Sequence, residues 1–169
     1  MLRLIVPLLL LATPASAHSL GSAGFAAGLA HPLFGLDHLL AMVAVGLWAG
    51  RIGGRARWLV PSAFVAAMLI GSLLPVALPS VETGILGSVL ILGLLVAWAP
   101  KLPLWVPALV VGLFALAHGH AHGAELSGGA ATLGFLLATA ALHGLGLMLP
   151  YARWLGLGVA TAGLVLAVS

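Results

Sequence analysis

The sequence predicts an all-α protein, a polytopic membrane helix bundle of about six transmembrane helices after a cleavable signal peptide. Three observations predict it. The 169 residues are 63% hydrophobic and only 5% charged, whereas a water-soluble domain carries about 25% charged residues to solvate its surface. The apolar residues come in long unbroken runs, without the periodicity of a half-buried helix or strand. Lys and Arg, finally, occupy only every second connection between those runs.

The amino-terminal segment reads as a targeting signal. Arg3 precedes a short apolar stretch, Leu4 to Ala12, and Thr13-Pro14-Ala15-Ser16-Ala17 ends in an A-x-A pattern. That layout predicts a secretory signal peptide over 1–17, cleaved after Ala17, with 18–169 as the transmembrane domain. Spanning ~30 Å of hydrocarbon at 1.5 Å per residue takes about 20 apolar residues. Six runs of roughly that length follow, at about 31–50, 58–78, 83–99, 104–123, 130–149 and 152–168. Pro61, Pro75, Pro103 and Pro107 lie near their ends, where a missing N–H costs least.

The connections set the orientation. Arg51, Arg55 and Arg57 follow the first run, Lys101 the third and Arg153 the fifth, while 18–30, 78–83 and 124–129 hold no Lys or Arg. By the positive-inside rule the basic side is cytoplasmic. The expected protein is therefore a multi-pass membrane protein with its mature amino and carboxyl termini both outside the cytoplasm. Trp48, Trp58 and Trp105 sit near the cytoplasmic helix ends and read as interfacial anchors. Gly84, Gly87, Gly93, Gly156 with Ala160, and Gly158 with Ala162 read as small-residue packing faces. Such faces leave self-association into a homo-oligomer open.

Several classes are excluded. Six scattered basic residues make no patch for nucleic acid. No P-loop is present for a nucleotide, and the absence of cysteine removes disulfides and thiolate metal sites.

Ionisable residues in membrane helices are costly and mark function by default. Here they cluster in two stretches. His31-Pro32-Leu33-Phe34-Gly35-Leu36-Asp37-His38 opens the first run, and a continuous helix would put His31 and His38 on nearly one face. His118-Gly119-His120-Ala121-His122-Gly123-Ala124-Glu125 closes the fourth, with His118, His122 and Glu125 spaced as one stripe and His120 pointing away. Neutral imidazole and carboxylate are ligands for borderline divalent ions such as Ni²⁺, Co²⁺ and Zn²⁺. His143 in the fifth run is a further candidate on the same path, Glu82 a gate, ligand or exposed cap, and His18 a chelating amine–imidazole pair after cleavage. Met42 reads as packing rather than as a soft ligand.

Together these residues resemble a known pattern. His31-x5-Asp37-His38 continuing as Leu39-Leu40-Ala41-Met42-Val43-Ala44-Val45-Gly46-Leu47-Trp48-Ala49 is similar to the signature of the HupE/UreJ family of nickel/cobalt permeases. His118-Gly119-x-Ala121-His122-Gly123-x-Glu125 resembles its second signature, with Ala117 departing from an often aromatic position. The likeness covers essentially the whole chain. It implies a secondary transporter that takes up Ni²⁺ or Co²⁺ as substrate, with the lipid bilayer as its other partner. No catalytic residue, cofactor or nucleotide is expected. Two other chemistries fit parts of the pattern. One is an intramembrane zinc enzyme with Glu125 as base, which lacks the adjacent glutamate of H-E-x-x-H. The other is a bis-histidine haem protein pairing His38 or His118 with His143.

Overall fold

The computed structural model describes residues 24–75, 80–123 and 128–168. These residues form seven α-helices and no strand: α1 (Phe25–Phe34), α2 (Leu36–Ile52), α3 (Ala56–Ser72), α4 (Val81–Trp98), α5 (Trp105–Gly123), α6 (Gly129–Met148) and α7 (Ala152–Val168). The all-α membrane bundle expected from composition is what the chain builds. The predicted signal segment 1–17, His18 and Glu125 lie outside the described residues.

α4, α5 and α6 are each long and apolar enough to cross a membrane, and α1 with α2 passes the same test as a pair. α3 and α7 have 17 residues each, at the short end of the range that spans hydrocarbon. α3 stops at Ser72 rather than near 78. Pro75 lies just beyond, and the residue before a proline is pushed out of the helical region.

The first predicted run is not one helix. It breaks at Gly35, where the backbone is extended (φ −91°, ψ 110°), and α1 meets α2 at 88°. Asp37 turns back to accept the His38 backbone N–H at 2.8 Å. A Cβ on Gly35 would lie 2.9 Å from His38 Nδ1 and 3.0 Å from Asp37 Oδ1, so the corner has no room for a side chain. His31 and His38 therefore sit on separate helices, not on one face of a single helix.

α2 is the central helix. Ala41, Met42 and Ala44 to Ala49 are all buried along it, where it packs on α6, α4, α3 and α7. Trp48 is fully buried on this helix and is not an interfacial anchor. Trp58 and Trp105 are 77% and 65% exposed, as anchors would be.

Backbones approach closely along the main seams. Gly93 of α4 lies against Gly156 and Ala160 of α7, and Gly46 of α2 against His143 and Gly146 of α6. Gly119 of α5 lies on the Met68 carbonyl of α3, and Gly28 of α1 on Ala131 of α6. Lipid tails are as apolar as leucine, so such close contact is what holds membrane helices together. Gly87 and Gly158, also expected in packing faces, have nothing within 4 Å of a built Cβ and face outward.

Arg51 at the end of α2 donates to the Val96 and Ala97 carbonyls at the end of α4, at 2.7 and 3.1 Å. That places the two helix ends side by side. Arg55, Arg57, Lys101 and Arg153 lie in the connections at this same basic end. α1 and the histidine stretches occupy the opposite end.

Candidate metal centre

Four imidazoles from three helices meet at the end opposite the basic residues. His31 comes from α1, His38 from α2, and His118 and His122 from successive turns of α5. Their rings form a chain of edge-to-face contacts. Centroids lie 4.6 Å apart for His31–His122, 4.3 Å for His38–His122 and 4.9 Å for His38–His118. His31 Nε2 and His122 Nδ1 share a hydrogen bond of 2.9 Å. Phe135 of α6 packs edge-on against His31 and tilted against His122, closing one side.

Two of these rings are held in a defined tautomer by a neighbour. Asp37 Oδ1 lies 2.7 Å from His38 Nδ1. A carboxylate only accepts, so Nδ1 carries the proton and donates it. The lone pair is then on His38 Nε2, which is buried without a hydrogen-bond partner among the described residues. Ser88 of α4 does the same for His118. Its hydroxyl has one proton, given to the Ile85 carbonyl at 2.6 Å. Ser88 Oγ therefore accepts from His118 Nε2–H at 2.9 Å, and the lone pair falls on buried, unpartnered Nδ1. A carboxylate or hydroxyl that fixes the tautomer of an imidazole is the usual support of a metal-binding histidine.

His143 stands deeper. It is buried on α6 and meets Phe64 of α3 edge-on at 5.1 Å, and Phe64 in turn lies 5.7 Å from His118. Phe64 thus touches both imidazoles.

A shallow depression lined by Ser72, Gly123, Gly128, Thr132 and Leu136 opens at the histidine end. It shares Ser72, Gly123, Thr132 and Leu136 with a narrow cavity that touches His122 and Met68. Among the described residues, no three His, Asp or Glu side chains surround a common point.

Of the residues expected from sequence, Asp37, His31, His38, His118 and His122 are brought together, and His143 lies one ring away. His120 is half-buried on another face of α5, as its spacing predicted. Glu82 is exposed in the first turn of α4, outside the ring group. Ser88, Phe64 and Phe135 were not foreseen. The signal for Ser88 was its position as a lone polar residue inside the apolar run of α4.

The sequence profile described as HupE / UreJ protein matches residues 6–168. The chain is 49% identical over 162 residues to Protein HupE of Rhizobium leguminosarum bv. viciae, covering 90% of this chain and 85% of that protein. No solved structure matches it.

Proposed function

Given that this chain belongs to the HupE/UreJ family, we propose that it is a secondary transporter importing a divalent transition metal, Ni²⁺ or Co²⁺, across the bacterial inner membrane. The observation that carries the reading is the pair of buried imidazoles on α2 and α5. Each has one nitrogen fixed as a donor and the other left with a lone pair. Ligands prepared in this way suit a borderline divalent ion better than a hard one.

The histidine end faces the periplasm, because every basic connection lies at the other end. A metal ion enters through the depression, with His18 and Glu125 assisting capture. The His31–His122 bond gives way as those rings turn toward the ion. His38 Nε2 and His118 Nδ1 replace part of its water, while Asp37 and Ser88 keep both tautomers in place. The ion then moves inward past Phe64 to His143. An inside-negative potential supplies about 2.3 kcal/mol per charge per 100 mV. A dication gains about twice that, or roughly a thousandfold accumulation per 100 mV. No catalytic step is involved.

The test is initial Ni²⁺ uptake in cells without other nickel importers. His38→Ala and His122→Ala are expected to abolish uptake at normal protein level, and His120→Ala to retain most of it. Equal loss in His120→Ala would refute the assignment of the working face of α5.

A further inference from the structure

We propose that Met42, Met68 and His143 form a second station for a soft or borderline transition-metal ion, inward of the histidine group and organised around the Thr139 hydroxyl. Its place on the route rests on the transport reading above; its ability to bind a soft metal does not.

Thr139 of α6 is fully buried. A threonine inside a helix commonly returns its hydroxyl to the carbonyl four residues back. Thr132 and Thr161 in this chain do so, bonding the Gly128 and Leu157 oxygens. Thr139 instead donates to Met42 Sδ of α2 at 3.3 Å, and Met68 Sδ of α3 lies 3.9 Å from the same hydroxyl oxygen. Two thioethers from different helices thus converge on one hydroxyl in the middle of the bundle.

His143 lies one turn further along α6, on the same face as Thr139. It is buried, and both of its ring nitrogens lack a hydrogen-bond partner among the described residues. An imidazole so buried normally satisfies both nitrogens, and leaving them unmade is costly. The proposed donor set is therefore two thioether sulfurs beside Thr139 and an imidazole nitrogen one helical turn away. The narrow cavity that touches His122 also touches Met68, which connects the station to the histidine group.

The donor types decide what such a station holds. Thioether sulfur is soft and imidazole borderline, whereas Mg²⁺ and Ca²⁺ require oxygen. An ion leaving the histidines meets donors that hard cations cannot use. The station therefore acts as a second filter against the abundant hard dications.

The experiment uses the membrane-inserted protein produced with selenomethionine, which labels Met42, Met68 and Met148, purified and loaded with Cu⁺ or Ni²⁺. Selenium-edge X-ray absorption reads any direct metal–selenium bond. Cu⁺ is expected to give such a bond in the parent. It should persist in Met148→Leu, weaken in Met42→Leu and Met68→Leu, and vanish in the double variant. Leucine keeps the volume close, so the variants fold. Ni²⁺ uptake at limiting metal should fall about tenfold or more in the double variant, as for loss of metal-site support. A parent without a copper–selenium bond, or a bond that survives the double variant, overturns the station. If the double variant has no copper–selenium bond yet takes up Ni²⁺ like the parent, the station is not on the route. A protein that shows the bond but moves no Ni²⁺ or Co²⁺ leaves the station standing and defeats the transport reading.

Discussion

At His38 and His118, one hydrogen bond each decides which ring nitrogen keeps its lone pair. Ser88→Ala removes the acceptor for His118 Nε2 and frees the ring to turn. Ni²⁺ uptake is expected to fall about tenfold or more, the usual cost of losing a group that orients a ligand. Ser88→Thr, which keeps the hydroxyl, should recover much of the loss. The check is initial uptake at limiting Ni²⁺, normalised to protein level; an Ala variant equal to the parent would refute the tautomer argument. The Asp37–His38 couple was legible in the sequence because the two are chain neighbours. Ser88 was not: its place as a polar residue in an apolar run marks it as unusual, but its bond to His118 joins two helices across 30 positions and the run does not name the partner. His31 and His122, 91 positions apart, were both named as candidate ligands, but their mutual hydrogen bond was not foreseen.

At the scale of elements, the α4–α7 seam rests on Gly93, Gly156 and Ala160. A Cβ on Gly156 would lie 2.7 Å from the Ala97 nitrogen, so Gly156→Val must part the helices. Overpacking of this kind costs about 1–3 kcal/mol. Gly158→Ala meets nothing within 4 Å and exchanges the weaker helix former for the stronger, worth up to about 1 kcal/mol. Thermal unfolding in detergent should therefore shift down for Gly156→Val and stay level or rise for Gly158→Ala. The reverse order would mean that the seam runs along the other face. The small-residue spacing was enough to place a seam on α7. It could not separate two glycines two positions apart, which point about 200° from each other. The corner at Gly35 was missed because the apolar run continues through it and the histidine spacing suits an unbroken helix. Pro32 and Gly35 were the local warnings.

For the whole molecule, the lipid environment made the general layout the most legible part. A chain this poor in charge, with basic residues in alternate connections, has few ways to lie in a bilayer. A reporter fused after Lys101 should be active only in the cytoplasm and one fused after Ser169 only in the periplasm. The opposite result at either junction would reverse the proposed orientation. The 88° corner also shapes the electric field of the bundle. Aligned peptide units give a helix roughly half a negative charge at its carboxyl end and half a positive charge at its amino end. α1 ends next to His31, α5 ends at His122, and α2 begins beside Asp37. The carboxyl ends of α1 and α5 thus lie beside the imidazoles and the amino end of α2 beside the Asp37 carboxylate, while Ser72 at the end of α3 and Gly129 at the start of α6 line the depression next to them. Breaking the first span supplies a backbone carbonyl terminus that a straight helix would have carried past the site. With only three acidic residues in the chain, peptide dipoles at these helix ends are a large share of the fixed charge around the imidazoles.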